Sequence, residues 1–147
     1  MSQSVVNHRR ALHRIPELDD HLPETLRYVR SVLEPLGCAP LTGSMISNYV
    51  KKGLVKNPVK KQYDREHIAV LLMIAVAKTV LSLEEVQTLL DAQRELPVPQ
   101  AYGEFCRTFP AAVEAVFSRP AGELMEDTVT AVAHKLYLDK RFGPETI

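Results

Sequence analysis

Hydrophobic residues recur every three or four positions along much of the chain, which is the spacing of one face of an α-helix. In residues 23–36 they form a stripe that ends at Gly37, whereas in residues 65–80 they occupy every side of the segment. Residues 83–93 and 122–141 are further amphipathic stretches. The pattern therefore predicts an all-α fold with the segment 65–80 at its centre.

Capping signals predict where two of these helices begin. Asp64 can accept hydrogen bonds from the free backbone N–H groups of the central helix. Ser82, followed by Glu85 three residues later, has the sequence of a capping box. At the other end of the chain, prolines predict two separate helices at 100–108 and 111–118, because a proline interrupts a helix at its interior positions.

The stretch 42–54 predicts a short helix with two different faces. Thr42 or Ser44 can cap its first turn, and Gly53 supplies the left-handed residue that ends it. The apolar face contains Met45, Ile46, Tyr49 and Val50. The polar face contains Ser44, Ser47, Asn48, Lys51 and Lys52. Hydroxyls, an amide and two lysines on one small helix are suited to the groove of a nucleic acid.

The next segment, residues 55–63, predicts a small β-hairpin, or wing. Its Asn-Pro centre is a turn signal between two ends that favour strands. Basic residues crowd around it, opposed only by Asp64 and Glu66, although the whole chain has a net charge of +0; they are Lys51, Lys52, Lys56, Lys60, Lys61 and Arg65. The positive charge is local, which is what the phosphates of a nucleic acid respond to.

Residues 41–90 resemble the bacterial family called domain of unknown function 1836. The resemblance is carried by Thr-x-x-Met-Ile-x-Asn-Tyr-Val-Lys at 42–51, by Pro-Val-Lys-Lys-x-Tyr at 58–63 and by Glu-His-Ile at 66–68. More distantly, the helix, the wing and Leu-Ser-Leu-Glu-Glu-Val at 81–86 are similar to the winged helix-turn-helix of MerR-type transcription regulators. That resemblance implies a recognition helix at 43–52 in the major groove and a wing on the DNA backbone. It implies DNA contact by Ser44, Ser47, Asn48, Lys51, Lys52, Lys56, Lys60 and Lys61.

Residues 9–38 are similar to the opening segment of zinc-dependent amidohydrolases of the aminoacylase type. In that family this segment is scaffold, and the metal ligands begin later with a His-x-Asp motif that this chain lacks. The five histidines, at positions 8, 13, 21, 67 and 134, provide no two-metal constellation. We therefore expect no catalytic residue, no metal site and no cofactor, and we do not expect an enzyme.

The amino-acid composition limits the possible domain organisation, cysteine chemistry and location of the protein. A chain of 147 residues, 46% hydrophobic and 24% charged, is typical of one globular unit. Cys38 and Cys106 are far apart and lack a CxxC spacing, so neither a disulfide framework nor a zinc ribbon is predicted. No signal peptide or membrane-spanning segment is predicted, which leads us to expect a cytoplasmic location.

These patterns combine into one prediction of organisation and function. We expect an N-terminal leader helix within 1–20, a winged helix-turn-helix-like domain at 21–93 and a helical extension for packing or dimerisation at 94–147. The expected function is that of a transcription regulator that binds duplex DNA, as a homodimer. Two alternatives stay open: a helical module whose basic patch binds an acidic protein, and a hydrolase-related fragment without catalytic residues.

Overall fold

The computed structural model describes residues 21–93, 95–120 and 122–143, and all statements below concern this part of the chain. A short 3₁₀ turn, Glu34–Leu36, extends the first helix. The α-helices are α1 (Leu22–Leu33), α2 (Gly43–Lys51), α3 (Arg65–Ala77), α4 (Leu83–Ala92), α5 (Val98–Phe117) and α6 (Leu124–Phe142). These ranges contain no β-strand, so the predicted all-α class is confirmed. The predicted leader helix within residues 1–20 lies outside the described residues.

Helix α3 lies at the centre of the core, as its sequence predicts. Its side chains Ile68, Leu71, Leu72 and Ile74 are almost completely shielded from solvent. It packs against α1 on one side and against α5 on another. Because α3 is apolar on several faces, it can contact several helices at once, which explains its central position.

The capping predictions are confirmed in atomic detail. The Asp64 carboxylate accepts the backbone N–H of His67 at 3.0 Å, and the Nδ1 atom of His67 accepts the backbone N–H of Asp64 at 2.9 Å. Ser82 and Glu85 exchange the same two bonds at the start of α4, at 3.1 and 2.8 Å. Both helix starts therefore satisfy N–H groups that have no partner inside the helix.

The prediction of two short helices around Pro110 is wrong. Helix α5 continues from Val98 to Phe117 with Pro110 in its interior. Proline cannot donate the usual hydrogen bond to the carbonyl of Cys106, which weakens the helix locally. However, Tyr102, Cys106 and Pro110 recur every four residues and are all buried, so one packed face continues across the proline. Tertiary packing thus overrides the local signal.

The predicted β-hairpin wing at 55–63 is also corrected by the structure. This segment contains an isolated antiparallel bridge between Val59 and Gln62 and forms no strand. The bridge closes a turn of two residues, and residues 56–58 before it belong to no bridge or strand. The segment is a tight turn, here called the basic turn (residues 59–62).

Helix α6 differs from the others because none of its residues is buried. Leu138 and Phe142, near its C-terminal end, pack against the core as partly buried residues. The Lys135 ammonium lies 3.6 Å from the Glu85 carboxylate on α4. No helix in the described ranges is both long enough and apolar enough to cross a lipid bilayer.

Candidate nucleic-acid interface

Helix α2 is fixed in the molecule by its apolar face. Ile46 and Tyr49 are 0% and 1% exposed, and the Tyr49 hydroxyl accepts a hydrogen bond from the Lys78 ammonium at 3.2 Å. Tyr49 therefore lies in the core, in agreement with its position on the apolar face of the helix predicted from the sequence. Burial of two large side chains on one face determines which face of α2 remains in solvent.

Both ends of α2 follow from local chemistry. The Thr42 hydroxyl accepts the backbone N–H of Met45 at 3.2 Å, so Thr42 rather than Ser44 is the cap. At the other end, Gly53 has a φ of +78°, and the N–H groups of Gly53 and Leu54 donate to the carbonyls of Val50 and Tyr49. This pair of bonds is the Schellman arrangement, which stops the helix and turns the chain towards the basic turn.

The predicted polar face of α2 is turned to solvent. All of its residues are exposed: Ser44, Ser47, Asn48, Lys51 and Lys52. Ser44, Ser47, Asn48 and Lys51 lie along an open groove of about 730 Å³, together with Leu22, Gly43, Val50, Pro58 and Tyr63. The groove thus has a polar wall on α2 and apolar contributions from α1 and from the residues next to the basic turn.

Helix α1 sets the position of the N-terminus of α2. The Arg30 guanidinium donates two hydrogen bonds, of 3.2 and 3.1 Å, to the backbone carbonyl of Leu41, just before α2 begins. A Cβ atom added at Gly43 would come within 3.3 Å of the Leu22 side chain, so the two helices approach closely at this point. These contacts hold α2 despite the long connection that starts at Gly37.

The basic turn presents two lysines from a strained backbone. Lys60 and Lys61 have φ values of +51° and +62°, and the Gln62 N–H donates to the Val59 carbonyl at 2.9 Å. Two successive positive φ values are typical of the mirror-image turn of type I′, which usually contains glycine or asparagine. For lysine, this conformation costs about 1–2 kcal/mol per residue. Strained residues are frequent at functional sites, although strain alone does not establish a function.

His67 connects the basic turn to α3. Its side chain is 1% exposed, and its Nε2 atom lies 3.3 Å from the Asn57 carbonyl. Its Nδ1 atom lies 2.9 Å from the Asp64 backbone nitrogen and 2.8 Å from the Asp64 carboxylate, so both ring nitrogens have polar contacts. The Tyr63 ring meets the His67 ring edge-on, with centroids 5.3 Å apart. These contacts and its burial give His67 a structural role.

The structure separates Lys56 from the other candidate lysines. Its ammonium lies 2.9 Å from Asp64 and 3.3 Å from Glu66, so it neutralises the two carboxylates of this region. Desolvation acts to raise the pKa of Asp64, but the Lys56 hydrogen bond and the His67 N–H outweigh it and lower that pKa to about 2. Among the described residues, no ion pair involves Lys51, Lys52, Lys60 or Lys61, which are exposed. Four lysines therefore remain available to an anionic partner.

The sequence did not predict three residues of the groove. Leu22, Pro58 and Tyr63 line it together with the polar face of α2, although none of them belongs to that helix. Leu22 stands at the first position of an amphipathic helix, and Pro58 is part of a turn signal. Neither pattern indicates which surface the residue faces, because that depends on how α1 and the basic turn fold back onto α2.

Neither cysteine forms part of a metal site within the described ranges. No group of three or more histidine, cysteine, aspartate or glutamate side chains is close enough there to hold a metal ion. Burial raises the pKa of the Cys106 and Cys38 thiols, so both favour the neutral form. Cys106 is fully buried and Cys38 is partly buried.

Comparison with known proteins gives one match. No curated protein is significantly similar to the chain. No solved structure matches it either. The family model described as Domain of unknown function (DUF1836) matches residues 10–105, which include helices α1 to α4, the basic turn and the first part of α5. This match covers well over half of the 147 residues, and the chain therefore belongs to the DUF1836 family.

Proposed function

We propose that this protein is a DNA-binding transcription regulator of the MerR-like winged helix-turn-helix type, cytoplasmic and active as a homodimer. Helix α2 enters the major groove, α1 supports it, and the basic turn takes the place of the wing on the DNA backbone. The proposal contains no catalytic step and needs no cofactor.

One observation carries the proposal: the hydroxyls, the amide and Lys51 on the exposed face of α2 line the same open groove as the residues that flank the basic turn. Ser44, Ser47, Asn48 and Lys51 line one wall of the groove, and Pro58 and Tyr63, which flank the basic turn, line another. The α-helix is the element that fits the major groove of B-DNA, where base edges are read by hydrogen bonds.

The side chains divide naturally into two roles. Ser44, Ser47 and Asn48 approach base edges, and the Asn48 amide is suited to the paired donor and acceptor of adenine. Lys51, Lys52, Lys60 and Lys61 bind phosphates, which provides affinity without sequence information. Lys56 contributes less, because Asp64 and Glu66 already balance its charge.

The proposal is tested by selecting binders from a random-sequence duplex pool with the purified protein at two salt concentrations. We expect enrichment of a palindromic sequence. The variant Lys60→Ala/Lys61→Ala should bind the enriched duplex more weakly, with a salt slope smaller by roughly 1.8, at about 0.9 per phosphate contact. Asn48→Ala should instead relax the sequence preference and leave the salt slope unchanged, because it removes a base contact.

A matched control is provided by Arg107→Ala/Arg119→Ala. These side chains are 72% and 61% exposed and lie on α5 and just after it, so the variant loses the same charge away from the groove. It should keep the wild-type affinity and salt slope. Enrichment of no sequence, together with equally weak binding by the wild type and the three variants, would contradict the proposal.

The apolar part of the groove favours a second candidate. Leu22, Val50, Pro58 and Tyr63 lie beside the lysines, and duplex DNA offers little to fill such a surface. An acidic amphipathic helix of a partner protein would place apolar residues there and carboxylates on the lysines. Leu22→Ala would then weaken the complex strongly, because Leu22 is only partly buried and lines the groove, whereas the proposed DNA binding needs no contact from this side chain.

A further inference from the structure

Exposed apolar side chains are concentrated on α6. Six large ones lie on this helix, and their exposed fractions range from 51% to 81%; they are Leu124, Met125, Val129, Val132, Leu136 and Tyr137. Single exposed apolar residues are ordinary on protein surfaces, but a continuous apolar stripe marks an interaction site. The rest of the described chain does not cover this stripe, since α6 has no buried residue.

The spacing of the stripe indicates what can cover it. Met125, Val129, Val132 and Leu136 follow one another at intervals of four, three and four residues. This is the a and d pattern of a two-helix coiled coil, in which each side chain inserts between residues of a facing helix. Lys135, Leu138 and Phe142, which contact the rest of the molecule, lie on a different face of α6.

The charges of α6 determine the direction of the facing helix. The N-terminal end carries Glu123, Glu126 and Asp127 without a basic residue among positions 123–130. The C-terminal end carries Lys140 and Arg141, while the Asp139 carboxylate beside them is paired with Lys135. A second α6 in antiparallel orientation places each acidic end beside a basic end. A parallel copy would place like charges together, which is unfavourable.

We propose that α6 binds α6 of a second copy of this chain, in antiparallel orientation and along the stripe Met125, Val129, Val132 and Leu136. The interaction is isologous, because a two-fold axis near the middle of the helix brings the same four residues together from both copies. The contact gives the homodimer of the proposed function a defined interface. It does not depend on DNA binding, and it is tested without DNA, so the two proposals can fail separately.

The first test is sedimentation velocity of the full chain over a range of roughly 1 to 200 µM, where a short helix pair should pass from monomer to dimer. We expect Val132→Glu to sediment as a monomer throughout this range. Val80→Glu is the matched control: Val80 is 50% exposed and Val132 is 51% exposed, but Val80 lies after α3. This control should dimerise like the wild type, and circular dichroism should show all three proteins equally helical.

Charge reversal tests the orientation. Glu126→Lys/Asp127→Lys should weaken the dimer by roughly tenfold, since cationic ends then face each other. Addition of Lys140→Glu/Arg141→Glu to the same chain should restore it, because opposite charges meet again. A wild-type protein that stays monomeric, or a dimer that Val132→Glu leaves intact, would overturn the proposal. A four-residue reversal that fails to rescue would overturn the antiparallel orientation.

Discussion

Helices α3 and α6 are both rich in apolar residues, yet they occupy opposite places in the molecule. Helix α3 buries seven of its 13 residues, including His67 and Leu71. Helix α6 buries none of its 19 residues, although leucine, valine and tyrosine recur along it. The difference shows that apolar periodicity predicts a helix face suited to burial. It does not show whether another part of the same chain covers that face.

The physical reason lies in how the apolar residues are distributed. In α3 they surround the helix, so several neighbours are needed, and α1 and α5 supply them. In α6 they form one stripe with charged residues beside it, for which a single facing helix is sufficient. Four pairs of variants test this comparison and extend it to other parts of the molecule, beginning with the largest expected effect.

The core of α3 should be much more sensitive to truncation than the stripe of α6. Leu71→Ala removes a side chain that is 0% exposed, and we expect it to lower the free energy of unfolding by about 2–5 kcal/mol. Leu136→Ala, at 59% exposure, should change it by less than about 0.5 kcal/mol in dilute protein. Urea titration at low micromolar concentration measures both. Equal losses would show that α6 belongs to the monomer core.

The acid sensitivity of the two regions should differ as well. Desolvation opposes the ionised form of Asp64, but Lys56 and the His67 N–H prevail and lower its pKa to about 2. A lowered pKa stabilises the fold above the unfolded value near 3.8, and this contribution is lost as the pH falls towards 2. Asp64→Asn keeps a side chain that can cap the helix but loses the ionised carboxylate that Lys56 contacts. It should therefore be less stable than the wild type by less than about 1 kcal/mol at neutral pH, and the difference should shrink between pH 4 and pH 2.

Asp139 on α6 is the matched carboxylate for this experiment. Its hydrogen bond from Lys135 lowers its pKa too, but the pair is exposed to solvent and salt. Asp139→Asn should therefore produce a smaller, salt-sensitive change in the urea midpoint over the same pH range. If the two variants show the same pH dependence, the stronger stabilisation of the ionised Asp64 carboxylate is contradicted.

The basic turn provides a third comparison, between stability and binding. Lys60→Gly should raise the free energy of unfolding by about 0.5–1 kcal/mol, because glycine adopts a φ of +51° without the cost that lysine incurs. The same variant should bind duplex DNA more weakly. Lys52→Gly, at a right-handed φ of −82°, should lower stability instead. A destabilising Lys60→Gly would mean that the turn is not strained.

The smallest expected effect concerns an unpaired hydroxyl in α1. Thr25 is 0% exposed, and its Oγ1 atom has no hydrogen-bond partner among the residues that the structure describes. Thr25→Val keeps the shape and removes this buried polar group, so we expect a gain of about 0.5 kcal/mol. Thr128→Val on α6 is the control, since its exposed hydroxyl bonds the Leu124 carbonyl at 2.8 Å. Thermal unfolding of both variants checks the difference, and a loss of stability in Thr25→Val would contradict it.

Much of the secondary structure could be predicted because its signals are local. Asp64 and Ser82 cap their helices, and Gly53 ends α2, through groups within a few residues along the chain. The failures involve contacts between distant residues. Pro110 should have divided α5, but burial of its face against the rest of the core maintains a continuous helix. The basic turn lacks strands, since its fixed position comes from the His67 contact with Asn57 rather than from a ladder.

The candidate site was predictable in part for the same reason. The polar face of α2 follows from helical spacing, and each of its residues is exposed. The ion pairs of Lys56 with Asp64 and Glu66 could not be derived from the sequence. Proximity along the chain does not show which charged side chains form ion pairs. The apolar wall formed by Leu22 and Tyr63 likewise requires the packing of α1 and the basic turn against α2.

By itself, the sequence determined the all-α class, the starts of α3 and α4, the end of α2 and the two faces of α2. These features depend on periodicity and on hydrogen bonds between residues a few positions apart. The tertiary structure alone decided which apolar faces are covered. It buried α3 between α1 and α5 and left the stripe of α6 in solvent. The hydrophobic effect favours burial of both faces, but it has no direction, and only the geometry of the packed chain determines which face finds a partner within the same molecule.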